Sequence, residues 1–166
     1  MSYFKRFPMI VGYNLQGKTF DTMDITRRTG LSNEYIQNEQ LSFEYQIQDR
    51  ETPEILADRI YDDVSMFWTI MFFNNMFDVD TDWPMDSPTF ERFVERQYGT
   101  AKYDIHHYES ASTGLIVDSD YNEWDRIPIT NYEYEMRLND SKRTIRIPFP
   151  EVANSMANQH NKKIRE

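Results

Sequence analysis

Between Val64 and Phe73, eight of ten side chains are apolar: Val64, Met66, Phe67, Trp68, Ile70, Met71, Phe72 and Phe73. At a helical repeat this run surrounds its axis with hydrocarbon, so each side of it needs cover. Met66–Phe73 is interrupted by Thr69 and is far shorter than the roughly 20 residues that cross a bilayer, so the cover must be protein. Asp63 is placed to cap the segment, which runs to about Asn74.

The flanking sequence predicts a small mixed module. From Phe43 to Gln48, Phe43, Tyr45 and Ile47 alternate with Glu44, Gln46 and Gln48, the period of a half-buried strand. Thr52 supplies a helix cap and Pro53 suits the first helical position. Leu56, Ala57, Ile60 and Tyr61 then form an apolar stripe opposite Glu54, Asp58 and Asp62. After Asn74, Phe77 and Val79 alternate with Asp78 and Asp80, which predicts a short closing strand. Two strands cannot wrap so apolar a helix, so further cover has to come from the N-terminal residues, the C-terminal region or another subunit.

Outside the module the signals are looser. Residues 1–42 hold no sustained period; Tyr3, Phe4, Phe7, Ile10 and Tyr13 lie among Pro8, Gly12, Gly17 and Gly30, which reads as an extended arm, with a short helical turn near Asp24. Ser87–Pro88 opens a third helix that Gly99 ends, with Phe90, Phe93, Val94 and Tyr98 on one face. Lys102–Glu109 and Gly114–Val117 read as strands. Asn131–Lys142 fits both strand alternation and helical spacing, with helix preferred; Arg143–Phe149 alternates through Ile145, Ile147 and Phe149, and an amphipathic helix follows Pro150. The class is α+β.

Charge and composition narrow the function. The net charge of −10 repels phosphates and disfavours nucleic acid. Residues 51–100 carry 11 acidic and 3 basic side chains, whereas residues 137–166 carry 7 basic and 3 acidic ones. This polarity suits head-to-tail contact between copies or attachment to other subunits, and also an ordinary solvated surface. With no Cys, disulfides, thiolate metal sites and cysteine nucleophiles are excluded. Aromatic residues make up 15% of the chain, a share suited to interface anchors. Lys5 and Arg6 precede no apolar stretch, so no targeting segment is expected.

Catalytic and metal patterns do not assemble. Asp78, Asp80 and Asp82 open like a calcium loop, but Trp83 stands at the glycine position and Thr89 at the closing glutamate. Asp118, Asp120 and Asn122 fail the same test, with Glu123 and Ile129 at those places. His106 and His107 are neighbours on a predicted strand and are expected on opposite faces. His160 lacks zinc-motif spacing, and no Gly-x-Ser-x-Gly occurs. No enzyme activity, cofactor or metal is expected.

The run Glu51–Asn75, with its Thr52–Pro53 helix start, Ala57-x-x-Ile60-Tyr61 helix end, polar break and aromatic-Trp68 helix ending in Asn, resembles the central segment of LysM-like baseplate wedge proteins of contractile-tailed phages. Leu138-Asn-Asp-Ser-Lys-Arg-Thr-Ile-Arg-Ile147 is similar to a second segment of that family. The resemblance implies a LysM-like βααβ module at 43–86, between an extended arm at 1–42 and a mixed α/β C-terminal extension at 87–166. Its core would hold Leu56, Ile60, Tyr61, Phe67, Trp68, Ile70, Met71 and Asn74. It also implies a structural subunit of the virion baseplate, assembled in the host cytoplasm. That subunit would join neighbouring wedges and contact other wedge subunits, the sheath-initiating subunit and the central hub, without nucleic acid or membrane. Partner contacts are expected at Tyr3, Phe4, Phe7, Ile10, Tyr13, Ile145, Ile147 and Phe149. Ordinary LysM modules bind N-acetylglucosamine polymers, and a peptidoglycan-binding module is the alternative; Arg50-Glu51-Thr52 stands where they carry Gly-Asp-Thr, which argues against a sugar groove. A cell-wall hydrolase lacks a catalytic set, and a related contractile injection system remains compatible.

Overall fold

The computed structural model describes residues 7–24 and 38–165. Tyr3 and Phe4 lie outside them. The chain forms two compact units: the first takes residues up to Gln46, Glu51–Asp82 and residues from Ile145 onward, and the second takes Ile47–Arg50 and Trp83–Thr144.

The first unit opens with a hairpin in place of the expected arm. β1 (Met9–Tyr13) pairs antiparallel with β2 (Thr19–Met23). β3 (Ser42–Gln46) follows a 3-10 turn at Glu39–Leu41. α1 (Pro53–Tyr61) starts where the Thr52 hydroxyl accepts the Ile55 N–H, and ends at Asp62, whose φ of 52° is left-handed. The apolar run splits into a 3-10 turn, Val64–Met66, capped by Asp63, and α2 (Phe67–Phe73).

No strand forms at Phe77–Val79. Instead Val79–Asp82 is a short helix, α3. The Asp82 carboxylate accepts the N–H groups of Phe77 (2.7 Å) and Asp78 (3.0 Å), and the Asp78 carboxylate accepts that of Asp80 (3.0 Å). Side chains thus take the donors that a strand would need for pairing. The strand beside β3 is β7 (Thr144–Pro148), far along the chain. Ile47 N–H donates to Arg143 O (2.8 Å) and Phe149 N–H to Leu41 O (3.1 Å); these bonds join opposite ends of the two strands, so the pair is antiparallel.

The cover for the apolar run comes from the same chain. α6 (Pro150–Arg165) buries Ala153, Met156, Ala157, His160 and Ile164, a stripe at helical spacing. Met66 and Trp68 share one cluster with Ala153 and Ala157, with Tyr61, Phe67 and Phe72 against its edge. The His160 ring lies 4.8 Å from that of Trp68. Leu56, Ala57, Ile70, Met71, Phe73, Ile145 and Ile147 are buried in the same unit.

In the second unit, α4 (Ser87–Tyr98) begins at Asp86, which accepts the Thr89 N–H, and ends at Gly99. A 3-10 segment, Gly99–Tyr103, leads into β4 (Ile105–Ser110), which is flanked by β5 (Ile116–Val117) and β6 (Arg126–Thr130) in the order β5-β4-β6. α5 (Asn131–Ser141) carries a capping box between Thr130 and Glu133, which decides for helix where the spacing was ambiguous. Asn139 is buried: its carbonyl accepts Met85 N–H (2.7 Å) and its amide donates to Met85 O (3.1 Å).

Candidate docking surface

The hairpin presents hydrocarbon on both faces. Met9, Val11 and Tyr13 point one way, while Ile10 and Phe20 point the other, because paired residues share a face and successive ones alternate. All five are exposed, Tyr13 by 73% and Ile10 by 42%. The turn is fixed by Asn14, whose side-chain oxygen accepts Gln16 N–H (3.0 Å) and Lys18 N–H (2.8 Å), and by Gly17, at φ 77°. Asp24 N–H donates to Pro8 O (2.8 Å) at the open end. Phe20 lies across Gly12; a methyl group there would stand 2.8 Å from the ring. A lone two-stranded hairpin is marginal in water, and this one leaves its apolar side chains in solvent.

Elsewhere in the first unit, polar side chains hold the elements in place. Asn74, at the end of α2, reaches β7: its amide donates to Arg146 O (2.7 Å) and Ile70 O (2.8 Å), and its carbonyl accepts Arg146 N–H (2.8 Å). One side chain thus pairs with a strand residue as a neighbouring strand would. Tyr61 donates to Pro148 O (2.8 Å), and burial pushes its hydroxyl well above the ordinary tyrosine value. Arg59 pairs with Glu51 (2.8 Å) and donates to the Tyr45 hydroxyl (2.6 Å), which in turn donates to Glu51. Burial and the Glu51 carboxylate raise the Tyr45 hydroxyl.

The residues expected to meet partners divide. Ile10 and Tyr13 are on the exposed hairpin, whereas Phe7 is buried. Ile145 (2% exposed) and Ile147 (0%) are core side chains of the first unit, facing inward from β7, and have no surface to offer. Phe149 is 43% exposed, with its ring 5.7 Å from that of Phe43. Of the expected module residues, Leu56, Trp68, Ile70 and Met71 are buried, and Ile60, Tyr61, Phe67 and Asn74 are half-buried.

His106 and His107 do not point to opposite faces. The register of β4 against β6 slips between Ile105 and His107, a bulge at His106 that brings the two Nδ1 atoms to 2.8 Å. One ring must donate and the other accept. His106 stacks on Tyr134 at 3.9 Å, and His107 meets Glu109, which also takes both bonds from Arg137 at 2.8 Å. Among the described residues, no group of three or more His, Cys, Asp or Glu side chains is placed to hold a metal ion. No helix among them is long and apolar enough to cross a membrane.

Residues 8–114 match the family described as base plate wedge protein 53. The matched stretch holds the hairpin, β3, α1 to α4 and all of β4, and extends over well over half of the chain. It makes the protein a structural component of the phage tail baseplate, a setting in which it meets other baseplate proteins. The chain belongs to the base plate wedge protein 53 family. No curated protein matches it. The segment Leu138–Ile147, similar to the second family segment, lies beyond the matched residues.

Proposed function

We propose that the protein is a non-enzymatic joint of the baseplate wedge, assembled in the host cytoplasm, which links neighbouring wedges by inserting its β1–β2 hairpin into other wedge subunits. The observation that carries this is the hairpin itself: a fixed turn and register, with Met9, Val11, Tyr13, Ile10 and Phe20 held in solvent. Preorganised apolar anchors of this kind bind without a large ordering cost. The sheath-initiating subunit and the hub are further candidate neighbours.

The order β3, α1, α2 and then β7 beside β3 supports a LysM-like βααβ unit whose last strand is delayed by the residues of the second unit. Arg50 has φ 65°, a left-handed conformation, at the place where ordinary LysM modules carry glycine. Glu51, next to it, is engaged by Tyr45 and Arg59. These features support a scaffold built for protein contact over one built for glycan.

Val11→Asp with Tyr13→Asp tests the proposal. Both side chains are exposed, so the melting temperature of the purified protein should stay within a few degrees of the parent, while incorporation into baseplates is lost. Normal incorporation of this double variant would refute docking through the hairpin. A separate titration with chitin oligomers should give no saturable heat.

A further inference from the structure

The second unit holds an apolar display that the hairpin reading does not use. Trp124 is 96% exposed, and Leu115, Ile116, Tyr121 and Ile127 are exposed with it. Ser110 N–H bonds Leu115 O (2.9 Å) and Ala111 N–H bonds Asp125 O (2.7 Å), so Leu115 and the Trp124–Asp125 pair flank the same end of β4. The loop between them is pinned. Asp125 accepts from the Ser110 hydroxyl (2.7 Å), the Ser112 N–H (2.9 Å) and the Ser112 hydroxyl (3.0 Å). Asn122 accepts the Trp124 N–H (3.2 Å). A large aromatic ring exposed to water on a loop whose backbone is held in this way has the makings of a hot spot.

The charge around Trp124 selects the occupant. Residues 118–125 include Asp118, Asp120, Glu123 and Asp125 and no Lys or Arg. An indole face among carboxylates favours a cation. In a chain of net charge −10, the basic excess is gathered in residues 137–166. There, Lys162 and Lys163 are exposed in the last turn of α6.

We propose that the pinned loop around Trp124 of one copy docks on the Lys162–Lys163 turn of α6 in a second copy, a heterologous head-to-tail contact. This names a partner for the wedge joint proposed above and rests on that reading. The contact is electrostatic at its rim, so it weakens as the Debye length falls from about 30 Å at 0.01 M salt to about 8 Å at 0.15 M.

Sedimentation velocity of the full chain across a concentration series tests it. The expected result is concentration-dependent association at low salt that fades at high salt. Trp124→Ala should weaken it by about tenfold or more. Asp118→Lys with Glu123→Lys should abolish it, as should Lys162→Glu with Lys163→Glu; all four changes in one chain should restore it. All five substituted side chains are exposed, and unchanged circular dichroism melts show that each variant is folded. A parent that stays monomeric at low salt, association indifferent to these substitutions, or failure of the fourfold variant to recover it overturns the inference. Western blotting of purified baseplates separates the two readings. A chain absent from baseplates refutes the structural role, whereas a chain present there without self-association refutes only this contact.

Discussion

Replacing Asn74 with alanine removes three side-chain hydrogen bonds at once: two donated, to Arg146 O and Ile70 O, and one accepted from Arg146 N–H. Ile70 O keeps the Asn74 backbone N–H (3.3 Å), but both backbone groups of Arg146 lose this partner. Each neutral hydrogen bond contributes about 0.5–1.5 kcal/mol net, and each polar group left without one costs about 1–3 kcal/mol. The site is half-buried and water recovers part of the loss, so the expected destabilisation is about 2–4 kcal/mol. For a chain of this length that is a drop in Tm of about 4–16 °C, readable by calorimetry. Asn74→Asp sharpens the test. The carboxylate still accepts from Arg146 N–H but faces two carbonyl oxygens with nothing to donate, and its own ionisation is disfavoured in the fold. A folded pKa above the unfolded one stabilises at low pH, so the deficit of Asn74→Asp against the parent should shrink as pH falls from about 7 to about 4. If Asn74→Ala unfolds within about 0.5 kcal/mol of the parent, the clamp between α2 and β7 contributes nothing and the reasoning fails.

Further tests reach the core, the backbone and the charges. Ile70→Ala empties a fully buried site and should cost about 2–5 kcal/mol in denaturant unfolding. Gly99 has φ 53° and ψ −121°, with open space where a Cβ would stand; Gly99→Ala should still destabilise by about 1–3 kcal/mol, because the strain is in the backbone. Hydrogen bonds hold several carboxyls of the second unit below their usual range: Arg137 and then His107 act on Glu109, Ser110 on Asp125, Thr130 on Glu133 and Thr89 on Asp86. These groups ionise more readily folded than unfolded, so they stabilise the second unit above about pH 4, and that contribution disappears as pH falls through their lowered folded values. Glu109→Gln should flatten this acid limb in a series of thermal melts.

Local signals were legible where the chemistry is local. Thr52 and Pro53 mark the start of α1, Gly99 ends α4, and the apolar spacing of α6 is visible in Ala153, Ala157, His160 and Ile164. The need of Val64–Phe73 for cover was also readable; that α6 supplies it was only one of three options, because burial does not reveal its partner. The alternation at Phe77 and Val79 misled, since aspartates beside them take the backbone donors. The bulge at His106 leaves no trace in composition. The hairpin escaped because strands exposed on both faces lose the polar–apolar alternation that marks half-buried ones, although Asn14 and Gly17 stood ready as turn residues. Ile145 and Ile147 alternate as core residues do, and were expected at a partner only because they lie near the tail. The β3–β7 pairing spans most of the chain, a relation that no local window holds.

That pairing has a consequence for synthesis. While a ribosome is still translating the second unit, β3 lacks its partner strand and Val64–Phe73 lacks α6, so the nascent chain carries a greasy surface until β7 and α6 have been made. Completion of the first unit therefore waits for the second unit to be made, and early termination anywhere before Thr144 yields a fragment fit for chaperones or proteases instead of the growing tail.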